Sequence, residues 1–143
     1  MNTTTAHLNR PADLHEPGRN LRRWWGVITA LLVAAIFIEA VFAGAMMSGV
    51  GWARAVHAAN AVLLIASTTV AGLVSLITLR RVPHGPRLGW TLLSLAAVLV
   101  LQAAAGALSA KGASLLWIHV PLGVALVGFA AQAAMGARRL GGQ

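Results

Sequence analysis

Four uninterrupted apolar windows, Trp25 to Met47, Ala55 to Leu79, Leu88 to Ala110 and Ser114 to Ala137, decide most of what this chain can become. Each exceeds the roughly 20 apolar residues that an α-helix needs to cross the hydrocarbon core of a bilayer. A backbone in lipid has no water to bond, so such windows read as helices, which satisfy their N–H and C=O groups internally. Only Glu39 carries a full charge inside them. Of the 143 residues, 58% are hydrophobic and 10% charged, too few charges to solvate a compact domain in water. Little chain remains between the windows, so no separate soluble catalytic module is expected. Any chemistry belongs to the bundle.

The expected organisation is a mobile, polar cytoplasmic tail over residues 1–23 and a four-helix membrane domain over residues 24–139. The tail's first 20 residues contain two prolines and no apolar periodicity, and His7 and His15 within it read as solvated. The net charge of +8 raises nucleic acid as a partner, but the arginines flank the windows and form no stripe on a soluble surface. Nucleic acid is therefore excluded, and the charges report topology. Arg10, Arg19, Arg22 and Arg23 precede the first window, Arg80, Arg81 and Arg87 separate the second from the third, and Arg138 and Arg139 follow the last. The other two connections carry only Arg54 and Lys111. The positive-inside rule puts both termini and the middle loop in the cytoplasm, with the turns at residues 48–54 and 111–113 outside. Trp24, Trp25, Trp52, Trp90 and Trp117 all lie near window ends, where an amphipathic ring prefers the headgroup region. Loop residues 80–87 are rich in Pro and Gly, and His84 within them is expected to be exposed.

A cleaved secretory signal is the competing reading of the first window, from a basic stretch, an apolar run and Ala43-Gly44-Ala45. The run is long for a signal core, and an internal repeat gives the first helix a partner that it would otherwise lack. A shift of 62 residues aligns the two halves without gaps, over about 25–81 and 87–143. Ala43-Gly44-Ala45 then falls on Ala105-Gly106-Ala107 and His57 on His119, while Thr29, Leu31, Ala34, Ala35, Val62, Leu64 and Ala71 meet identical residues. Chance supplies some of these identities in a chain rich in Ala and Leu. The Gly and His pairs weigh more, since Gly44 to His57 and Gly106 to His119 share a spacing of 13 across turns of different composition. The expected fold is an all-α, up-down bundle of two repeated helical hairpins related by an axis along the membrane normal.

His57 and His119 would each lie a few residues into the second and fourth helices, at similar depth near the outer face. Those helices are diagonal in an up-down bundle, with roughly 14 Å between axes when neighbours are about 10 Å apart. That gap suits two imidazoles with an iron between them. The chain has no cysteine, which removes thiolate ligands, disulfides and covalent c-type haem attachment. One His on each diagonal helix meets the minimum for six-coordinate haem b. Gly44 and Gly106 would lie level with the two histidines, where a missing side chain admits a porphyrin; equally, small residues simply let helices pack closely in lipid. Arg54 and Lys111 at the outer turns could pair with haem propionates or only snorkel to the interface. Glu39, Gln102 and Asn60 are the intramembrane polar residues below this level. They read either as a proton path or quinone pocket, or as a hydrogen-bond network that holds the bundle. The two histidines admit the same cofactor-free reading. Pro121, early in the fourth helix, leaves the Trp117 carbonyl less constrained.

At these residues the chain resembles one four-helix half of the haem A synthase family, and small four-helix bacterial membrane proteins. The resemblance spans residues 25–139 and is carried mainly by Leu101-Gln102-Ala103-Ala104-Ala105-Gly106 and Trp117-Ile118-His119-Val120-Pro121-Leu122-Gly123. It implies that His57 and His119 are haem ligands. The family's acid-x-x-His-Arg signature is absent, with Arg54 in the acid's place and Ala58 in that of the arginine, and only one half is present. Haem binding therefore carries over further than haem-modifying chemistry.

The expected function is a membrane b-type cytochrome. It would carry one haem b between helices 2 and 4 as an electron carrier or anchor subunit, between a quinol pool and a protein partner in a redox complex. The alternatives are a cofactor-free structural or assembly subunit of a larger membrane complex, and a haem- or lipid-modifying membrane enzyme. The high Ala, Leu, Arg and Gly content points to a GC-rich bacterium, and so to the bacterial inner membrane.

Overall fold

The computed structural model describes residues 17–141, all of it helix and turn. Four helices follow one another: α1 (Pro17–Met47), α2 (Ala53–Thr78), α3 (Gly85–Ala110) and α4 (Leu116–Gly141). Each is long and apolar enough to cross a bilayer. Their outward faces carry Leu31, Phe37, Val62, Leu63, Ile77, Leu101 and Val124, all well exposed. In water such a surface would aggregate, while in lipid it is the solvated one. The chain fits a multi-pass membrane protein.

The expected window boundaries are extended at several ends, most of all at the first. α1 begins at Pro17, so residues 17–23 are helical, where the tail had been placed over 1–23. Proline suits the first helical turn, where its missing N–H removes no bond, and Leu21 packs against the core cluster at that end. Residues 1–16, with His7 and His15, lie outside the described residues.

α1 and α3 end the same way. Gly49 and Gly112 adopt left-handed φ values of +82° and +99°. In α1 the Gly49 and Val50 N–H groups donate to Met46 O and Ala45 O at 3.1 and 3.0 Å. In α3 the Gly112 and Ala113 N–H groups donate to Ser109 O and Leu108 O at 3.0 and 3.1 Å. This is the Schellman pattern, in which a left-handed residue lets the last orphan carbonyls find donors. Glycine takes that conformation without a Cβ penalty, so each of these two turns is set by one residue. At the third turn His84 is exposed, as expected, and takes φ 59° before α3.

Each helix packs against its two neighbours in cyclic order, and among the described residues the diagonal pairs α1–α3 and α2–α4 bring no Cα atoms within 8 Å of each other. The α2–α3 and α1–α4 seams are the more extensive. Glycine sets the first of them. A Cβ on Gly72 would stand 2.8 Å from Leu93 Cδ2, and one on Gly89 2.5 Å from Leu76 Cγ. The core is stacked in two clusters. Trp25, Leu32, Leu79, Leu88, Leu92, Ala133, Ala137 and Leu140 fill the end holding the α1 start, the α2–α3 turn and the α4 end. Ile36, Leu64, Leu95, Leu99, Leu126 and Ala130 fill the middle. Trp25, expected at the headgroup level, is only 3% exposed and anchors the first cluster, while Trp24, Trp52, Trp90 and Trp117 are exposed. Successive helix positions point about 100° apart, so Trp24 and Trp25 cannot share a surface.

Candidate functional site

The apolar core stops abruptly. Ile36 is the last buried residue of α1 and Leu99 the last of α3; beyond Ala53, Leu64 is the first of α2, and Leu126 is the first of α4. One turn further out stand Glu39, Asn60, Gln102 and Gly123, and a turn beyond these stand His57, His119 and Gly106. The expected polar residues therefore sit in the bundle half where no large side chain is fully buried. Their layering follows from helix geometry: residues three or four apart share a face, so a polar residue placed there continues the buried stripe.

On the α1–α2 side the Glu39 carboxylate is central. Asn60 Nδ2 donates to its Oε2 at 2.7 Å. His57 Nδ1 lies 2.9 Å from its Oε1, with the two side chains 20% and 15% exposed. That imidazole nitrogen is sealed from solvent, yet it is out of line for a hydrogen bond. Its contact with Glu39 is a close polar approach that a small ring rotation would convert into one. His57 and Asn60, three residues apart on one face of α2, thus converge on a single acid of α1.

On the α3–α4 side the partners exchange bonds. Gln102 Nε2 donates to the His119 backbone oxygen at 2.7 Å. His119 Nδ1 stands 3.0 Å from the Gln102 backbone oxygen. A carbonyl has no proton to give, so this contact requires Nδ1–H, and a neutral ring then carries its lone pair on Nε2. Gly123 makes the exchange sterically feasible, because a Cβ there would sit 3.0 Å from Gln102 Nε2. Gly106 lies against the imidazole, with a built Cβ only 2.9 Å from His119 Cε1. Gln102 Oε1 remains buried without a partner.

The two imidazoles are therefore presented alike. Each turns Nδ1 to an oxygen of the preceding helix, and no described residue bonds either Nε2. Both rings lie within electrostatic range of the Glu39 carboxylate, so residues of α1, α2 and α4 meet near one level. This is the second-shell arrangement of metal-binding histidines, whose other nitrogen is held by a carboxylate or a carbonyl. Among the described residues no three His, Cys, Asp or Glu side chains converge. Two imidazoles suit a metal that brings its own equatorial ligands. The two imidazoles are of the donor type that haem iron takes as axial ligands.

Gly44 and Gly106 are not equivalent in their surroundings. Gly44 is exposed, and a Cβ there would meet nothing within 4 Å. Arg54 and Lys111 are exposed near the same end, neither with an ion-pair partner among the described residues. Gly123 is the site residue that the sequence reading passed over, and its signal was its place one turn after His119. Pro121 lies inside α4, between His119 and Gly123. Family models, curated proteins and solved structures were all compared with the chain, and none matches.

Proposed function

We propose that the chain is a membrane b-type cytochrome that holds one haem b between α2 and α4, with His57 and His119 as axial ligands. The observation that carries this reading is the matched presentation of the two imidazoles, each with Nδ1 within 2.9 or 3.0 Å of an oxygen of the preceding helix and Nε2 unbonded. Haem would supply a one-electron couple at the bundle's turn-bearing end. The protein's part is to fix two ring orientations through Glu39 and the Gln102 carbonyl, and to keep bulk away with Gly106. Arg54 and Lys111 are placed to meet propionates. Glu39, Asn60 and Gln102 lie one turn deeper, where a quinone headgroup would find donors and acceptors, and a redox partner would dock on the outer face. The resemblance to a haem A synthase half agrees with this ligand pair. Two hairpins related by a repeat, both termini cytoplasmic and a bacterial inner membrane complete the reading.

Titrating haem into the purified protein tests it. One equivalent per chain is expected to bind with a six-coordinate low-spin spectrum, and His57→Ala or His119→Ala to lose that spectrum while His84→Ala retains it. A second reading is favoured by the reciprocal Gln102–His119 bonds, which satisfy the hairpin without a cofactor. On that reading the chain is a structural subunit, and haem binds to wild type and to both variants equally weakly.

A further inference from the structure

Gln132 is an intramembrane amide that the haem reading does not use. It lies in α4, is exposed, and no described residue bonds it. Successive helix positions turn by about 100°, which sets Gln132 on the side of α4 away from the buried Leu126, Ala130, Ala133 and Ala137. In a spanning helix that side faces lipid. By the rise of an α-helix, Gln132 lies about 9 Å inside Arg138 and about 20 Å along α4 from His119. Snorkelling gives it little relief, because Cα–Cβ bonds tilt toward a helix N-terminus, and in α4 that direction leads away from the nearer, arginine-bearing end. An amide without a partner in hydrocarbon is costly, so its place on the lipid side calls for a partner from outside the chain. Gly128 and Gly136, one turn to either side of it, are exposed and have nothing within 4 Å of a built Cβ. Ala125, also exposed, continues the same face.

We propose that this face of α4 is the interface of a parallel homodimer, in which the Gln132 amides of two copies bond each other across a twofold axis. Copies inserted in one orientation are related by an axis along the membrane normal, and a residue near that axis meets its own counterpart. Few polar side chains tolerate this. A carboxamide carries both N–H donors and a carbonyl acceptor, so two of them satisfy each other, whereas two cations or two carboxylates would repel. An unlike partner would have to supply a polar group of its own at the same depth; a second copy supplies it by symmetry. Gly128 and Gly136 remove the side chains that would hold the two backbones apart, as small residues do where helices meet in lipid. The right-handed crossing typical of such contacts spreads the helices toward their ends, which separates the two Arg139 guanidiniums. The interface does not rest on the haem reading.

Energy transfer between donor- and acceptor-labelled full chains in liposomes, followed as added lipid dilutes the protein, tests the interface. The chain has no native cysteine, so each label sits on one introduced by Gln143→Cys. Transfer above the random level is expected, scaling with acceptor fraction as a dimer requires. Gln132→Leu should raise the protein density at half-dimerisation about fivefold, the effect of an interhelical hydrogen bond. Gly128→Leu should raise it at least as far, and Ser94→Leu, which replaces an exposed polar residue of α3, should leave it within twofold. Unaltered melting curves in excess detergent, where chains are separated, check the fold of each variant. Oxidative cross-linking between copies is expected from Ala125→Cys and not from Leu63→Cys on the exposed face of α2. A monomer at every dilution overturns the proposal and leaves the face to lipid or to an unlike protein. A dimer that Gln132→Leu leaves within twofold overturns it as well. So does cross-linking from Leu63→Cys in place of Ala125→Cys, which would move the interface to another helix.

Discussion

Gly44 and Gly106 show how little a residue's identity says about its role before its neighbours are known. The halves align them, yet a Cβ at 106 collides with His119 Cε1 at 2.9 Å, while one at 44 meets nothing within 4 Å. Gly106→Ala is expected to displace the imidazole and to abolish or broaden haem binding. Gly44→Ala should leave the melting temperature of the haem-free protein unchanged or slightly higher, since Ala is the better helix former. Paired melts and haem titrations of the two variants check this. Glu39 is the other decisive residue. Replacing it with Leu would leave Asn60 Nδ2 without its acceptor and His57 Nδ1 without its polar neighbour, at a cost of about 1–3 kcal/mol, whereas Gln keeps an oxygen for Asn60. Unfolding in detergent should rank wild type, Glu39→Gln and Glu39→Leu in that order. The site's membership was legible in the sequence, because intramembrane His, Glu, Gln and Asn are rare and stand out. The pairing was not. A shift of 62 sends Glu39 to residue 101, but the residue that meets His119 is Gln102, and it does so through its backbone oxygen and its amide, where Glu39 meets His57 through its carboxylate.

The helices themselves were legible from length, while several of their ends were not, α1 beginning at Pro17 and not at Trp25. Gly49 and Gly112 are required by left-handed turns that repeat the same hydrogen bonds. Trp25 was misplaced at the interface because proximity to a window end says nothing about which face a residue occupies; its neighbours in the packed cluster decide that. The α2–α3 seam was likewise invisible, since Gly72 and Gly89 look no different from Gly128 or Gly136 in a chain with 15 glycines. Their surroundings separate them: Gly128 and Gly136 have nothing within 4 Å of a built Cβ, while Gly72 and Gly89 stand against Leu93 and Leu76. Gly72→Ala and Gly89→Ala are each expected to destabilise by about 1–3 kcal/mol through overpacking, and the two open positions by no more than ~0.5 kcal/mol. Thermal unfolding of the four variants, in one detergent, makes the comparison.

At the scale of the whole molecule the bundle divides into a packed end and a polar end, and its charges divide in the same sense. Apolar layers built on Trp25, Leu79 and Leu92 at one end, then on Leu64, Leu95 and Leu126 in the middle, fix the helices against one another. Beyond them the interior is left to half-buried polar residues. The arginine distribution predicts that the packed end faces the cytoplasm. The absence of native cysteine makes the test clean. Single cysteines at Ser48 and Ala113 should react with an impermeant maleimide in intact cells, and those at His84 and Gln143 only after lysis. The reverse pattern would put the histidines on the cytoplasmic side and move the expected redox partner with them.

The central claim is that the two imidazoles of the polar end serve one haem iron. A reduced-minus-oxidised absorbance spectrum of the protein, purified from cells supplied with haem, addresses it most directly. The account predicts a sharp b-type α band and Soret shift at one haem per chain, absent from His57→Ala and from His119→Ala. A featureless difference spectrum from the folded wild-type protein, or a band that survives in either variant, would contradict it.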